Sequence, residues 1–254
     1  MIYFSILFIL LLVIFLARFN FFRIPKKGIL VLLYHRIDDK PTGKSIDKFS
    51  ISLNKFEEQI KYLKSKGFKS ITPYDIEKIK SNKLYLKRRY VLITFDDGYK
   101  DNLDAAKVLK KHGFKGLFFI STAVIGKELD GIEMMNFDDL KRLKEMGMIL
   151  GSHSHNHRKL TEMDLQTAKE EIKTSLDILN KIQKIEDFAY PFGNYNESIV
   201  EMLQDLKIKR AYIIGQRIFN PNSESIFKIP RAIVRKDTNK IDFYLIITRG
   251  RSKF

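Results

Sequence analysis

Residues 90–98 read YVLITFDDG, and this stretch decides the fold. Its first six residues form an apolar run, rich in β-branched and aromatic side chains, that is typical of a fully buried strand. Asp96, Asp97 and Gly98 follow directly, so both carboxylates are expected at the carboxyl end of that strand. An all-apolar strand that ends in polar residues is typical of a parallel sheet covered on both faces.

The same pattern recurs along the chain, and amphipathic segments separate the apolar runs. The predicted strands are 28–34, 68–71, 90–95, 116–120, 148–150, 188–190, 211–214 and 226–229; the predicted helices are 54–66, a helix opened by Thr72-Pro73, 102–112, 136–146, 164–182, 197–206 and 241–247. Strands alternating with helices indicate βαβ units. Seven or eight units predict an α/β fold, a distorted (β/α)7-8 barrel of parallel strands, with a doubly wound open sheet as the alternative.

Ionisable residues and tight turns collect where the predicted strands end. They are His35, Asp96-Asp97, the segment 151–157 (GSHSHNH), the segment 190–193 (YPFG) and Pro230-Arg231. In parallel α/β folds, active sites form at this edge of the sheet. We therefore expect these residues to surround one site.

The histidine-rich segment indicates a metal site. His153 and His157 are four residues apart, so a helical turn would place both imidazoles on one face, whereas an extended segment would align His155 with them. Two histidines and one carboxylate leave a coordination position open for water. Asp96 and Asp97 are the candidates for that carboxylate, and because strand neighbours point to opposite sides, they should have different roles.

Each of these features also has an ordinary structural interpretation. The histidines could form a solvated patch that binds metal only adventitiously, and Asp96-Asp97-Gly98 could be only a turn. His35 could be a core histidine bonded to backbone, and Arg231 could pair with a surface carboxylate.

The amino-acid composition excludes several classes of protein. The 254 residues include 46 Lys and Arg against 30 Asp and Glu, which gives a net charge of +16, and no Cys. Without thiols there is no disulfide scaffold, cysteine nucleophile or Cys-ligated metal. The charge raises the hypothesis of nucleic-acid binding, but the lysines are scattered over the helices without a basic stripe interleaved with aromatics. We therefore predict no nucleic-acid partner.

The N-terminus predicts a membrane anchor. Residues 2–17 read IYFSILFILLLVIFLA with only Ser5 polar, and Phe19, Phe21 and Phe22 extend the run. We predict an uncleaved transmembrane helix with its flank over residues 1–27 and a catalytic domain over 28–254; a cleaved signal peptide is the alternative. Residues 1–27 hold four basic residues and no acids, so the positive-inside rule would place the domain in the cytoplasm.

The motifs TFDDG (94–98) and HSxxH (153–157) together resemble those of the polysaccharide deacetylases of carbohydrate esterase family 4. The family's third motif ends in P-Y-G, and here residues 191–193 read PFG. The resemblance covers roughly residues 28–235. It implies that Asp97, His153 and His157 hold a divalent metal, usually zinc, with cobalt, nickel, iron or manganese possible. It also implies that Asp96 is the general base and that the Phe192 N–H stabilises the oxyanion.

Two departures from the family pattern bear on the remaining roles. No Arg precedes the third motif, and Arg231 is the natural substitute. No His follows His157, so a C-terminal Leu-x-His motif is absent and His35 becomes the candidate acid. Tyr34-His35 near the N-terminus resembles a subgroup that includes deacetylases of poly-β-1,6-N-acetylglucosamine, a biofilm exopolysaccharide.

The resemblance implies metal-dependent hydrolysis of the N-acetyl groups of an extracytoplasmic polysaccharide, with poly-β-1,6-N-acetylglucosamine favoured. The alternatives are a peptidoglycan or chitooligosaccharide deacetylase and a catalytically silent glycan-binding protein on the same fold. Because the substrates of this family lie outside the cytoplasm, we expect the domain on the outer side of the cell membrane, against the positive-inside rule, or secreted if the N-terminus is cleaved.

Overall fold

The structure is a computed structural model that describes residues 2–18 and 25–252. The strands are β1 (Ile29–Tyr34), β2 (Phe68–Ser70), β3 (Arg89–Phe95), β4 (Gly116–Ile120), β5 (Glu128–Leu129), β6 (Ile132–Glu133), β7 (Ile149–Ser152), β8 (Asp187–Ala189), β9 (Arg210–Ile214) and β10 (Ile229–Ile233). The helices are α1 (Ile2–Arg18), α2 (Leu53–Ser65), α3 (Ile76–Ser81), α4 (Asn102–His112), α5 (Phe137–Glu145), α6 (Leu165–Leu179), α7 (Glu197–Asp205) and α8 (Lys240–Arg249).

Seven parallel strands close into a barrel. Their order is β1, β10, β9, β8, β7, β4 and β3, and β3 pairs again with β1. β2 pairs with the first residues of β3 and stays outside the ring, while β5 and β6 form a separate antiparallel hairpin. The prediction of a parallel β/α barrel is confirmed with seven strands in the ring, and the open doubly wound sheet is excluded.

Alternation along the strands builds two apolar layers. In β1, Ile29 and Val31 belong to the cluster inside the barrel, which also contains Phe119 of β4 and Tyr212 of β9. The intervening β1 residues belong to the larger cluster, which includes apolar residues of the surrounding helices. Because side chains alternate across a strand, a strand buried on both faces must be apolar throughout. This explains why the strand runs in the sequence contain so few polar residues.

Helix caps agree with the sequence signals. The Ser52 side chain caps α2 by accepting from the Lys55 N–H, and Gly113, at a φ of 76°, ends α4 in the left-handed conformation. Asn136, Asp164 and Asn196 cap the next three long helices in the same way as Ser52. The helix expected after Thr72-Pro73 begins as a 3₁₀ turn and continues as α3.

The last strand was predicted in the wrong place. The structure places β10 at Ile229–Ile233 rather than at 226–229, so Pro230 and Arg231 lie inside the strand and not after it. Proline has no N–H to donate to a ladder, which is why the sequence pattern favoured a strand end before it. The shift places Arg231 in the barrel wall with a fully buried side chain.

The N-terminal segment forms α1, a helix of 17 residues. Within residues 2–18 and 25–252, no helix combines the length and apolar character needed to cross a membrane, so the predicted transmembrane helix is not found. Phe19, Phe21 and Phe22, which extended the predicted anchor, lie outside the described residues.

A buried ion pair joins two strands at the end of the barrel where the strands begin. Asp187, the first residue of β8, accepts two hydrogen bonds from Arg210, the first residue of β9, at 2.7 and 2.8 Å. The Tyr212 hydroxyl also donates to Asp187, at 2.9 Å. This pair was not predicted from the sequence, in which the two residues lie 23 positions apart.

Candidate active site

The two adjacent carboxylates separate at the end of β3. The Asp96 N–H donates to the Tyr34 carbonyl of β1 at 3.0 Å, so Asp96 extends the strand pairing by one residue. Its side chain is 3% exposed. Asp97 adopts a φ of 74°, and the Gly98 N–H closes a tight turn onto the Asp96 carbonyl. The left-handed conformation leaves Asp97 partly exposed at the barrel mouth, so the two carboxylates occupy different environments. A tight turn after the strand, rather than the predicted alternation along it, separates them.

Asp96 forms a bidentate ion pair with Arg231. The two Arg231 Nη atoms donate to the two Asp96 oxygens at 2.6 and 2.8 Å, and the guanidinium lies 5.2 Å from the centre of the Phe119 ring. Burial by itself raises the pKa of Asp96, but the Arg231 charge, the adjacent His153 and the Arg231 hydrogen bonds together outweigh it and lower the pKa to about 2. Asp96 is therefore an ionised carboxylate at neutral pH.

The loop after β7 orients the two histidines without forming a helix or a strand. Ser154 and His157 adopt φ values of 63° and 53°, and the Ser154 Oγ accepts from the His157 N–H at 3.1 Å. His153 Nδ1 lies 2.8 Å from the Ala189 carbonyl, which can only accept, so Nδ1 carries the proton. The Nε2 lone pair of His153 is thereby directed toward His157 and Asp97.

His155 points away from this pair. Its Nδ1 lies 2.8 Å from the Thr122 hydroxyl, on the segment after β4. Both spacing interpretations were therefore wrong in detail: the loop is neither a helical turn nor an extended strand with three aligned histidines. The left-handed residues bring His153 and His157 together and leave His155 outside the donor set.

Asp97, His153 and His157 form a set of donors that fits a divalent metal ion. The two Nε2 atoms are 3.2 Å apart, and the Asp97 Oδ1 lies 3.6 Å from His153 Nε2 and 3.4 Å from His157 Nε2. Tetrahedral zinc with bonds of about 2.0–2.2 Å separates its ligand atoms by about 3.3–3.6 Å. Burial lowers the pKa of His153 to about 4, which leaves its imidazole neutral, as metal binding requires.

His35 lies beside Asp96 because β1 and β3 pair in register, Tyr34 opposite Phe95. Its ring packs 5.0 Å from that of Phe49, and within the described part of the chain its buried Nδ1 has no hydrogen-bond partner. The backbone of this segment is fixed by the start of α4: Asn102 Nδ2 donates to the His35 carbonyl at 2.7 Å. His35 also lines the cavity at the barrel mouth, so its ring can contact a bound substrate.

One cavity of about 560 Å³ connects these residues at the barrel mouth. Its lining includes all the residues predicted for the site except Arg231, which lies beneath Asp96: His35, Asp96, Asp97, His153, His157 and Phe192. Phe192 is 52% exposed, adopts a φ of 57°, and its ring lies 4.7 Å from that of His157. Apolar side chains of the opposite wall include Val124 and, on the β5–β6 hairpin, Leu129.

Two supporting residues were missed by the sequence analysis. The Tyr99 hydroxyl hydrogen-bonds the Asp97 side chain, and Asn102 holds the backbone of His35. Both follow the TFDDG motif closely, and the sequence signal was their position in the turn that leads into α4. Such partners orient ligands and reacting groups without touching the substrate.

A closed parallel barrel whose mouth joins a metal-binding donor set to a buried, ion-paired carboxylate defines a hydrolytic enzyme of the barrel class. The sequence profile described as polysaccharide deacetylase matches residues 83–211. The chain belongs to the polysaccharide deacetylase family.

Individual relatives agree with this assignment. The chain is 30% identical to the Bacillus subtilis protein YxkH over 188 residues, which cover 73% of this chain and 62% of YxkH. It is 28% identical to a poly-β-1,6-N-acetyl-D-glucosamine N-deacetylase of Staphylococcus aureus over 233 residues, 82% of this chain and 79% of that protein. The structure of IcaB from Ammonifex degensii superimposes with a TM-score of 0.77 at 22% identity, covering 91% of this chain and all of that one. The last match shows a shared fold.

The composition of the donor set predicts which histidine substitution weakens metal binding. His157→Ala should weaken zinc binding by at least about a hundredfold, because it removes one of three protein ligands. His155→Ala removes an imidazole from the same loop but outside the donor set, and it should retain zinc at the wild-type level. Metal content after dialysis, measured by mass spectrometry, checks both variants. Equal zinc loss in the two variants would show that the site is not built as described.

Proposed function

We propose that this chain removes acetyl groups from the N-acetylglucosamine units of poly-β-1,6-N-acetylglucosamine, releasing acetate and leaving free amines. The observation that carries the proposal is the buried Asp96–Arg231 pair beside the His/His/Asp donor set, at the mouth of one cavity. The linkage is supported by the Staphylococcus aureus relatives, whose name specifies this polymer and which align with 82% of this chain. His35 at the same mouth adds a second ionisable group.

Asp97, His153 and His157 would hold the metal ion, for which zinc is favoured by the donor types and by the ligand separations. A divalent cation bound there supplies Lewis acidity toward the acetamide carbonyl and toward a nucleophilic water. The partly exposed side of Asp97 and His157 faces the cavity, so substrate can approach the donor set from the mouth.

Asp96 is the general base in this proposal. The attacking water adds its oxygen to the acetamide carbon and gives its proton to Asp96, which is ionised at neutral pH because Arg231 holds its pKa near 2. Arg231 also fixes the carboxylate plane through two hydrogen bonds, so Asp96 does not rotate away from the water.

His35 is the proposed acid, and Phe192 the proposed oxyanion donor. When the carbon–nitrogen bond breaks, the leaving amine takes a proton from His35, which lines the cavity. The Phe192 N–H would stabilise negative charge on the former carbonyl oxygen, and the left-handed backbone at Phe192 sets the direction of that N–H. The fragments are then acetate and a free amino sugar.

The proposal predicts a substrate preference. Acetate release should be fastest from poly-β-1,6-N-acetylglucosamine oligomers, slower from chitin oligomers and peptidoglycan, and abolished by a chelator. Asp96→Asn should lower kcat by about 10²–10⁴-fold while zinc remains bound, because it removes the base and no ligand. Faster release from peptidoglycan or chitin would assign the chain to the alternative substrates. No release from any polymer, with glycan binding retained, would favour a catalytically silent glycan-binding protein.

The ion pair between Asp96 and Arg231 predicts how kcat/KM depends on pH. If Arg231→Lys breaks the bidentate pair, burial of Asp96 is no longer fully offset, so its pKa rises from about 2. The base is then protonated at higher pH, and the acidic limb of kcat/KM against pH should move upward by about one unit or more. Arg210→Lys makes the same chemical change in the pair with Asp187, at the other end of the barrel, and should leave the limb in place. An unmoved limb in Arg231→Lys contradicts the assignment of Asp96 as the base.

We also propose that the domain acts outside the cytoplasm, where such polymers occur. If so, protease added to intact cells should degrade the domain, and the same protease should leave a cytoplasmic control protein intact. Protection of the domain in intact cells, with degradation after lysis, would place it in the cytoplasm as the positive-inside rule suggests.

A further inference from the structure

A second cavity, of about 370 Å³, lies at the opposite end of the barrel, where β1 and β3 begin. Five cationic side chains contribute to its lining, namely Lys26, Lys27, Lys87, Arg88 and Arg89, and we call it the basic cleft. Among the residues that the structure describes, no acidic side chain lines it. The other lining residues are mainly apolar and include Leu30 and Phe68.

The cations of the basic cleft are exposed and lack acidic partners. None of the five takes part in an ion pair among residues 2–18 and 25–252, although Arg89 lies over the Phe68 ring. Lysines elsewhere on the surface are often paired, as Lys107 is with Asp104 and Lys173 with Asp177. Five like charges around one cleft repel each other, and an anionic surface relieves that repulsion.

The chain itself indicates which anionic surface this is. The basic cleft begins at Pro25, seven residues after α1 ends at Arg18, so the two are separated by at most about 25 Å of extended chain. The side chains of α1 are apolar and exposed, among them Leu7 and Phe8. An apolar helix joined by a short connection to an unpaired cationic cleft is the combination that binds anionic bilayers.

We propose that the basic cleft docks onto the anionic phospholipid headgroups of a membrane. The catalytic residues follow the carboxyl ends of the strands, whereas the basic cleft lies at their amino ends. Docking through the cleft therefore directs the cavity with Asp96 and Asp97 away from the lipid. In this orientation the cavity at the barrel mouth faces the solution and is open to a polymer substrate. This holds for any linkage of the polymer.

Partitioning of the full chain onto lipid vesicles tests the proposal. The triple variant Lys27→Gln, Lys87→Gln, Arg88→Gln removes three cleft charges, and the control triple Lys110→Gln, Lys169→Gln, Lys181→Gln removes three exposed charges from other parts of the surface. Both variants lower the net charge from +16 to +13. Cosedimentation is compared on vesicles of phosphatidylglycerol with phosphatidylcholine and on vesicles of phosphatidylcholine alone.

The cleft variant should partition onto the anionic vesicles about a hundredfold more weakly than the wild type, since each of the three basic residues near an anionic surface contributes about fivefold. The control variant should change far less. Equal losses in the two variants, or equal wild-type binding to both kinds of vesicle, would overturn the proposal. Retained binding of inorganic polyphosphate without a preference for anionic vesicles would also overturn it and assign the cleft to a soluble anion. Unchanged circular dichroism in both variants shows that the fold is intact.

Discussion

The structure depends on the pairing of β1 with both β3 and β10. That double pairing closes the ring, and it also brings together three residues that are far apart in the sequence. His35 follows β1, Asp96 follows β3, and Arg231 lies in β10. A shift of one residue in either ladder would turn the side chains of that strand to the opposite face. The positions of the candidate base, its cationic partner and the candidate acid are therefore set by the closure of the barrel.

Two charged side chains, Asp96 and Arg231, are buried at the barrel mouth. A carboxylate as buried as Asp96 would normally take up a proton, and a guanidinium as buried as Arg231 would be costly on its own. The bidentate pair compensates both charges, and the Phe119 ring covers the guanidinium. Asp97, one residue later, is not buried in this way, because its left-handed conformation places it at the partly exposed rim of the barrel. One turn of chain thus yields a buried ionised carboxylate and a partly exposed carboxylate that belongs to the candidate metal-binding donor set.

The fold and the main site residues could be predicted because their signals are local. Apolar runs marked the strands, and polar residues directly after them marked the mouth. Asp96, Asp97, His153 and His157 became candidates in this way, and the structure brings all four to one cavity. The position of Arg231 was missed because Pro230 argues locally against a strand that the barrel nevertheless imposes. The histidine loop was missed because its shape depends on left-handed conformations at Ser154 and His157, stabilised in part by the Ser154 side chain. Support from Tyr99 and Asn102 depends on contacts that a linear pattern does not encode.

The total charge of the chain and the arrangement of its charges on the surface lead to different expectations about binding. A charge of +16 by itself favours polyanion binding, yet several lysines on the helices are paired with acids one turn away. Exposed pairs of this kind contribute little to stability, but they cancel much of the local field. The field that remains is greatest where cations lack partners, and the basic cleft gathers five of them at one end of the barrel. The opposite end carries the carboxylates and imidazoles of the candidate active site. The two ends of the barrel therefore differ in charge, and this polarity, rather than the total charge, is the property that can orient the enzyme at an anionic surface.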